Sequence, residues 1–432
     1  MLSSTRGFVL SVRPRRVGMA VVGLGGAVAT TAVAGLEMLR AGGDTAGLPL
    51  AGLEVDGRPV EEATGMVEYT DLVVGGWDLD GSDLRKAAEQ HGVLDHHQLA
   101  QAGPYLSSVI PWAAAGDADF CRNVTGGNVV LAETRRAQVD AVRADLVRFR
   151  EEQQLDGLVL VNLASTERWP DPTAPALQSV EAFEAGLDAD DRSITPSMVY
   201  AYAAIAEGVG YVNFTPSLAA DVPALVELAE QHGVPVAGKD GKTGQTMMKT
   251  VLAPAFRSRA LTVEGWYSTN ILGNRDGLAL DDPDSLESKL QTKGSVLDSI
   301  LGYAVEDHVV RIDYYRPRGD QKEAWDAIDL VGFLGQRMQV KVDFLCRDSI
   351  LAAPLAIELA RLTDLAQQRG QGGVQTHLGW FFKAPMTRGG AQPEHALHRQ
   401  EQALLTWLAA DALVDPYPAG AAADARTEQP QA

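Results

Sequence analysis

The chain has 432 residues, of which 46% are apolar, and its formal net charge is -20 at pH 7. A chain of this length is too long for one ordinary hydrophobic core, so we predict two domains. Its apolar residues are numerous enough to fill both interiors. The strong acidity argues against binding to nucleic acid or to an anionic membrane surface. Its two cysteines, Cys121 and Cys346, are too few for a disulfide framework. They favour a protein of the reducing cytoplasm.

The N-terminal apolar run Val17–Leu39 follows several arginines and superficially has the composition of a signal anchor. Glycines interrupt it in a pattern that fits another structure better. We predict a strand at Val17–Val22, a turn at Gly23–Gly26 and a helix at Ala27–Arg40. The sequence therefore predicts no membrane span at this end.

Short apolar strands alternate with helices through the next two hundred or so residues. We predict strands at Leu72–Val74, Gly157–Leu163, Tyr211–Phe214 and Val234–Ala237, and helices at Asp83–His91, Ala137–Gln153, Pro196–Glu207 and Val222–His232. Alternation at this spacing predicts an α/β fold with a parallel, doubly wound sheet.

The pattern changes near residue 247, where strands with more exposed alternation are predicted. These are Leu261–Ser268, Val309–Tyr315 and Gln339–Phe344, and a long helix is predicted at Ser349–Gln368. We expect a Rossmann-like domain formed by residues 14–246 and 358–412, with an α+β domain inserted at 247–357. Residues 413–432 have the composition of a disordered tail.

The glycine turn is the first candidate for chemistry. Glycines between a strand and a helix let the backbone approach a pyrophosphate, and the helix N-terminus favours negative charge. The motif at Gly23–Gly26 lacks the third spaced glycine, because Val28 stands at that position. A plain structural turn is therefore an equal alternative. Asp78 ends a later strand and suits a ribose-binding acid. It comes later than the usual spacing of about twenty residues, so an excursion must separate the first two strands.

A polar loop at Lys239–Thr246 is the second candidate. Its Gly241-Lys242-Thr243 run is similar to a phosphate-binding P-loop, but that motif requires a glycine where Val236 stands. Between a strand and a helix, the loop would place Asp240 and Lys242 at the carboxyl edge of the sheet, where ligands bind. The alternative is an ordinary helix cap by Thr243.

Lysines and amides cluster in the second half of the chain. Eight of the nine lysines lie between residues 239 and 383. Lys289 and Lys293 would share one helix face, where their repulsion is relieved if a phosphate lies between them; a solvated face is the alternative. Asn270 and Asn274 suit sugar hydroxyls, although such residues also mark turns. Lys383 follows two aromatic residues, which predicts partial desolvation.

Six motifs occur together in an order typical of one enzyme family. They are Lys239–Thr246, Asn270–Gly277, Ser288–Lys293, Gly319–Asp326, Asp348–Pro354 and Phe382–Lys383. On these motifs the chain resembles the bacterial type of myo-inositol-phosphate synthase from about residue 17 to 388, and Gly23–Gly26, Gly75–Asp78 and Asn162–Glu167 match that family's NAD-binding segments. The resemblance implies a Rossmann-like NAD-binding domain with an inserted α+β catalytic domain that also builds a homotetramer.

The resemblance also implies a reaction with NAD as cofactor and a phosphorylated hexose as substrate. C5 of open-chain glucose 6-phosphate is oxidised, and the new ketone acidifies C6. The resulting enolate attacks the C1 aldehyde, and C5 is then reduced again. The product is 1D-myo-inositol 3-phosphate, and the net reaction is an isomerisation.

Residue roles follow from the same resemblance. Lys289 would assist transfers at C5, Lys322 and Lys383 would lie near the reacting oxygens, Lys293 would lie near the phosphate, and Asp240 would orient these groups. The substrate would be held by Asn270, Asn274, Lys242, Asp320, Gln245 and Thr246. The cofactor would be held by Gly23, Gly25, Gly26, Ala27, Val28, Asp78, Asn162, Ala164, Ser165, Thr166, Asp240, Thr243, Asp276, Asp348 and Ser349.

Local departures from the family keep alternatives open. Arg316-Pro317-Arg318 and Gln321 flank Gly319-Asp320, and Phe344–Arg347 precedes Asp348, where relatives carry other residues. A paralogue that cyclises fructose 6-phosphate to a five-membered cyclitol phosphate for carbocyclic nucleosides therefore stays possible. A non-enzymatic sensor would have lost the lysines, and a conventional dehydrogenase would release NADH. No HExxH or paired CxxC occurs, and Asp95-His96-His97 is read as a capped turn, so no metal is predicted.

Overall fold

A computed structural model describes residues 14–274 and 296–410. Its larger sheet has seven strands among these residues, all paired in parallel, in the order β13-β8-β7-β6-β1-β4-β5. In chain order the strands are β1 (Val17–Val22), β4 (Leu72–Asp78), β5 (Trp112–Ala113), β6 (Gly157–Asn162), β7 (Gly210–Asn213), β8 (Pro235–Gly238) and β13 (Gly373–Val374).

Helices cover both faces of this sheet. One face carries α1 (Ala27–Arg40), α3 (Leu84–His91), α4 (His96–Ser108), α11 (Asp348–Gln368) and α12 (Leu397–Ala410); the other carries α5 (Arg135–Glu152), α6 (Val180–Asp188), α7 (Pro196–Ala206) and α8 (Pro223–His232). Side chains of a strand point alternately to its two faces. Met19 of β1 accordingly packs in one core and Ala20 in the other. The predicted doubly wound α/β fold is therefore confirmed.

The predicted excursion between the first two sheet strands is also confirmed. It contains an antiparallel ribbon of β2 (Glu54–Val55) and β3 (Arg58–Pro59), followed by the short helix α2 (Val60–Thr64) and a 3-10 turn at Tyr69–Asp71. This excursion packs on α11, where the buried Arg361 guanidinium contacts Glu61 of the excursion at 2.6 Å and Glu358 of α11 at 2.7 Å. Removing Arg361 would leave the buried Glu358 carboxylate without its counter-ion and cost about 3–5 kcal/mol.

A second, mixed sheet has four strands in the described residues, in the order β10-β9-β11-β12. These are β9 (Thr262–Leu272), β10 (Asp307–Tyr314), β11 (Gln321–Val331) and β12 (Arg337–Arg347). β10 runs parallel to β9, whereas β11 is antiparallel to both β9 and β12. One face packs against α9 (Gln245–Ser258) and α10 (Val296–Leu301), around Trp266 and Phe256.

The elements that were not predicted from the sequence include β11 and α4. β11, which carries Lys322, was not predicted, because its apolar residues are mixed with Asp326 and Asp329. At Asp95 the predicted cap is observed, and the residues after it form the helix α4, which was not predicted. The Asp95 carboxylate accepts the Gln98 backbone N–H at 2.9 Å, and the Gln98 side chain returns a bond to the Asp95 N–H. The domain boundaries at 246/247 and 357/358 stay predictions, and the proposed tail at 413–432 lies outside the described residues.

Helix α11 connects the two sheets. It begins directly after β12 of the smaller sheet and packs across β6, β7 and β8 of the larger one. Its buried Asp364 accepts two hydrogen bonds from the Arg15 guanidinium, at 2.7 and 3.0 Å. None of the helices in the described part of the chain combines the length and the apolar character needed to cross a membrane.

Candidate active site

A cavity of about 540 Å³ opens at the carboxyl ends of the parallel strands. Its lining includes the residues that follow β1, β4, β6, β7 and β8, and it extends to the start of α11. This edge of a doubly wound sheet is where ligands bind in such folds. Of the predicted cofactor residues, the lining contains Gly23, Gly26, Ala27, Val28, Asp78, Ala164, Ser165, Thr166, Asp240, Thr243, Asp348 and Ser349.

The glycine turn after β1 lies close against its neighbours. Gly23 has a φ of 84°, and a Cβ placed there would lie 3.0 Å from the Leu163 carbonyl oxygen. The N–H groups of Gly23 and Leu24 both donate to the Trp77 carbonyl at 2.9 Å. Gly26 then caps α1 with its backbone alone. The turn therefore leaves open backbone beside the cavity, which suits a dinucleotide pyrophosphate.

Asp78 ends β4 next to this turn. Its carboxylate accepts the Gly25 N–H at 2.8 Å and the Asp80 N–H at 2.9 Å, and a Cβ at Gly25 would lie 3.1 Å from it. Gly25 itself does not line the cavity but fixes Asp78, which does. An acid at this strand end is the expected partner of a ribose hydroxyl. The residues at this end of the cavity thus fit NAD.

The loop after β6 forms another part of the wall. Asn162 is buried beneath it, donates to the Ser197 hydroxyl at 3.1 Å and accepts the Ala164 N–H at 3.1 Å. It is absent from the cavity lining and shapes the loop from below. Glu167, which was not predicted as a site residue, lines the cavity and accepts the Ser197 N–H at 3.0 Å. Burial raises the pKa of its carboxyl group to about 7.

His91 is a second lining residue that sequence reasoning missed. Its Nε2 lies 2.8 Å from the Gly25 carbonyl oxygen, so the end of α3 contacts the glycine turn. No sequence signal identifies this residue, because it stands 66 positions from Gly25 in an ordinary helical pattern. The sequence did offer a signal for Glu167, because it is the last residue of the segment Asn162–Glu167 that matches the family's NAD-binding segments.

Asp240 and Lys383 meet at the other end of the cavity. The Lys383 ammonium donates to Asp240 Oδ1 at 2.8 Å, and the Lys383 N–H donates to the Asp240 carbonyl at 2.7 Å. Both side chains line the cavity and are nearly buried. Asp240 has a φ of 60°, an uncommon backbone conformation for a residue with a side chain. The ion pair thus holds the Lys383 ammonium in a fixed position at the cavity wall.

A second lysine–aspartate pair lies nearby. The Lys322 ammonium, at the start of β11, is 3.5 Å from Asp348 Oδ2 in the first turn of α11. The Thr243 hydroxyl donates to Asp348 Oδ1 at 2.9 Å. Asp348 and Thr243 line the cavity, whereas Lys322 lies beside it. The alternative of a helix cap by Thr243 is not observed, because Gly244 caps α9 and the Thr243 side chain bonds to Asp348.

Asp320 fixes the start of α11 next to this pair. Its carboxylate accepts the Ser349 hydroxyl at 2.7 Å and the Ser349 N–H at 3.3 Å, and Asn274 donates to it at 3.5 Å. Burial raises the pKa of the Asp320 carboxyl group, and the nearby Asp348 adds to the effect. Asn274 and Ser349 line the cavity, while Asp320 lies behind them.

The remaining predicted substrate residues lie outside the lining of this cavity. Asn270 donates to Gln245 Oε1 at 2.5 Å, and Thr246 is buried in the same first turn of α9. The Lys242 ammonium donates to Gln400 Oε1 of α12. Desolvation lowers the pKa of Lys242 to about 7. The predicted residues Lys289, Lys293 and Asp276 lie outside the described residues.

The parts of the chain that the structure describes contain no group of three or more His, Cys, Asp or Glu residues suited to a metal ion. The fold and this cleft define a dinucleotide-binding α/β protein whose cavity extends from a glycine turn to two lysine–aspartate pairs.

Comparison with known proteins specifies the family. A profile described as myo-inositol-1-phosphate synthase matches residues 54–409. The chain is 42% identical over 399 residues to inositol-3-phosphate synthase 1 of Bacteroides thetaiotaomicron, with 89% of this chain and 93% of the relative covered. Inositol-3-phosphate synthase of Saccharomyces cerevisiae is 30% identical, with 92% of this chain and 85% of the relative covered. The chain belongs to the myo-inositol-1-phosphate synthase family and carries its NAD-binding domain.

The fold agrees with this assignment. The crystal structure of inositol-3-phosphate synthase from Caenorhabditis elegans superposes with a TM-score of 0.86 at 27% sequence identity, covering 92% of this chain and 86% of that one. The family resemblance inferred from the motifs and the predicted NAD-binding fold are confirmed.

Proposed function

We propose that this protein is an inositol-3-phosphate synthase that converts glucose 6-phosphate to 1D-myo-inositol 3-phosphate with recycled NAD. The proposal rests on two ion pairs, Lys383–Asp240 and Lys322–Asp348. They lie at the end of the NAD cleft opposite the turn that contains Asp78. Two fixed cations beside one cofactor suit a reaction in which an alkoxide and then an enolate form. Family membership supplies the substrate class.

Bound NAD would supply a reversible hydride acceptor at C5 of the sugar. The Asp240 carboxylate holds the Lys383 ammonium in place, so that it stabilises negative charge on a substrate oxygen. Asp348 does the same for Lys322, and Thr243 orients Asp348. Preorganised cations in a water-poor site need no reorganisation when the charge develops.

Asp320 does not line the cavity but contacts two residues that do, Ser349 and Asn274. Through Ser349 it fixes the first turn of α11, and that turn carries Asp348. Asn274 donates to the same Asp320 oxygen as the Ser349 hydroxyl, and it lies in the cavity wall, where it is placed for sugar hydroxyls. Lys289 and Lys293 are assigned to proton transfer at C5 and to phosphate binding by the family resemblance alone.

Product identification by NMR tests the proposal. The full chain is incubated with catalytic NAD and, separately, with glucose 6-phosphate or fructose 6-phosphate. An inositol phosphate from the glucose substrate is the expected product. A five-membered cyclitol phosphate formed only from the fructose substrate would replace the proposed reaction with the paralogue's. Stoichiometric NADH release would indicate a conventional dehydrogenase.

The assembly is part of the proposal. We expect a homotetramer in the cytoplasm, built through the smaller sheet. Large apolar side chains are exposed there, including Phe333 at 87%, Leu334 at 77% and Leu345 at 57%. Phe333 and Leu334 lie in the turn between β11 and β12, and Leu345 lies near the far end of β12. Exposed large apolar side chains of this kind are typical of interaction surfaces. Sedimentation of the wild-type chain and of Phe333→Asp tests this: the variant should form smaller species, and a monomeric wild type would rule it out.

A further inference from the structure

One arginine outside the predicted site joins the two walls of the cofactor cleft. The Arg347 guanidinium donates to the Gly92 carbonyl oxygen at 3.1 Å and also to the Val93 carbonyl oxygen. These contacts connect residues about 255 positions apart, from the last residue of β12 to the turn that follows α3. Arg347 immediately precedes Asp348, and Gly92 immediately follows His91, and both of those neighbours line the cavity.

The chemistry of the contact suits a reversible bridge. The carbonyls at a helix C-terminus carry partial negative charge and favour a cation. Both bonds are donated by one nitrogen of the guanidinium, Nη2, which carries two N–H groups and so can serve two acceptors at once. Because Arg347 is an exposed residue, water competes for both bonds. The contact is therefore strong enough to form and weak enough to open.

We propose that Arg347 is a strap across the cofactor cleft that slows the entry and exit of NAD. The inference rests on the proposed function in one respect, that NAD occupies this cleft. In a reaction that returns its hydride to the substrate, the cofactor has no need to leave between turnovers. The Arg347 bridge joins the segment that carries His91, at the glycine turn, to the segment that carries Asp348, at the ion pair with Lys322. It keeps these two parts of the cleft together during the cycle.

The bridge contacts protein carbonyls and not the cofactor, which gives it a distinctive kinetic signature. Loss of a contact to the cofactor itself would raise the dissociation rate alone. Loss of a strap lowers the barrier in both directions, so the association rate also rises. The dissociation constant then changes less than either rate.

Stopped-flow fluorescence with NADH as the probe measures both rates on the full chain, with excess NAD to displace the bound probe. For Arg347→Ala we expect both rates to rise roughly five- to tenfold, a partial effect for charge-assisted bonds that compete with solvent. Arg347→Lys, which keeps the charge but replaces the planar guanidinium with a shorter ammonium side chain, should give intermediate rates. The matched control is Arg337→Ala, at the other end of β12, where an exposed arginine pairs with Glu264.

The outcomes separate the strap from the proposed function. Raised rates in both directions for Arg347→Ala, with an unchanged Tm and an unchanged KM for glucose 6-phosphate, support the strap. Unchanged rates, or a rise in the dissociation rate alone, overturn it while leaving the proposed function intact. A wild-type chain that binds no NADH overturns both.

Discussion

The Lys383 ammonium lies 2.8 Å from Asp240 Oδ1, although the two residues are 143 positions apart in the chain. The contact forms because the segment after β8 pairs with the segment after the 3-10 helix Thr376–Phe381, through backbone bonds between Lys239 and Ala384 and between Asp240 and Lys383. The backbone thus fixes the ion pair before any ligand binds.

Removal of either paired lysine should therefore abolish most of the turnover. For Lys383→Ala and Lys322→Ala we expect kcat to fall about 10²- to 10³-fold, as for the loss of one preorganised charge-stabilising donor. Asp240→Asn should lower kcat less, because the Asn amide oxygen still accepts a hydrogen bond from Lys383 although the counter-ion is lost. Initial-rate measurements at saturating NAD test this, with the exposed Lys341→Ala as control. Near-normal turnover of both lysine variants would remove these residues from the proposed mechanism.

The glycine turn offers a matched pair of substitutions for cofactor binding. Gly23 and Gly42 have almost the same φ, 84° and 86°, but a Cβ at Gly23 would lie 3.0 Å from backbone, whereas one at Gly42 would meet nothing within 4 Å. Both alanine variants carry the positive-φ strain of about 1 kcal/mol. Only Gly23→Ala should lose NAD affinity in calorimetric titration. Equal affinity in both variants would show that the turn is purely structural.

Glu167 should make the stability of the protein depend on pH. Burial raises the pKa of its carboxyl group from 4.5 to about 7 in the folded chain. Between these values the folded state holds a proton that the unfolded state has released, so stability falls as pH rises through this window. Above pH 7 the free energy of unfolding of Glu167→Gln should exceed that of wild type by about 1–3 kcal/mol. Below pH 5 the difference between the two proteins should be smaller. Urea unfolding across this range, with the exposed Glu401→Gln as control, measures the difference.

Lys242 should behave as a structural residue despite its place in a family motif. Its ammonium contacts Gln400, and desolvation lowers its pKa from 10.5 to about 7. The folded state therefore resists protonation, and Lys242→Met should gain stability relative to wild type as pH falls from about 10 to 7. We expect the KM for glucose 6-phosphate to change by less than about threefold, because replacing a residue that does not contact the substrate leaves KM nearly unchanged. A large increase in KM would restore Lys242 as a substrate ligand.

Most of the larger sheet was predictable because its strands are buried on both faces and read as continuous apolar runs. β11 was missed because its sequence interleaves acidic residues that only the tertiary structure satisfies, as where Asp326 accepts the Trp266 indole N–H at 2.7 Å and the Ser268 hydroxyl at 2.6 Å. A polar residue at such a position is indistinguishable from a loop residue until its partners on another strand are known.

The sequence by itself determined the family, the NAD-binding fold and the identity of the lysines and acids, because those depend on residue types in a fixed order. Only the tertiary structure decided which of them meet. It joined Lys383 to Asp240 and Lys322 to Asp348, turned Lys242 away toward Gln400, and brought His91 to the glycine turn. These pairings depend on how two sheets and α11 pack together, and that packing is fixed by burial over the whole chain and not by local spacing.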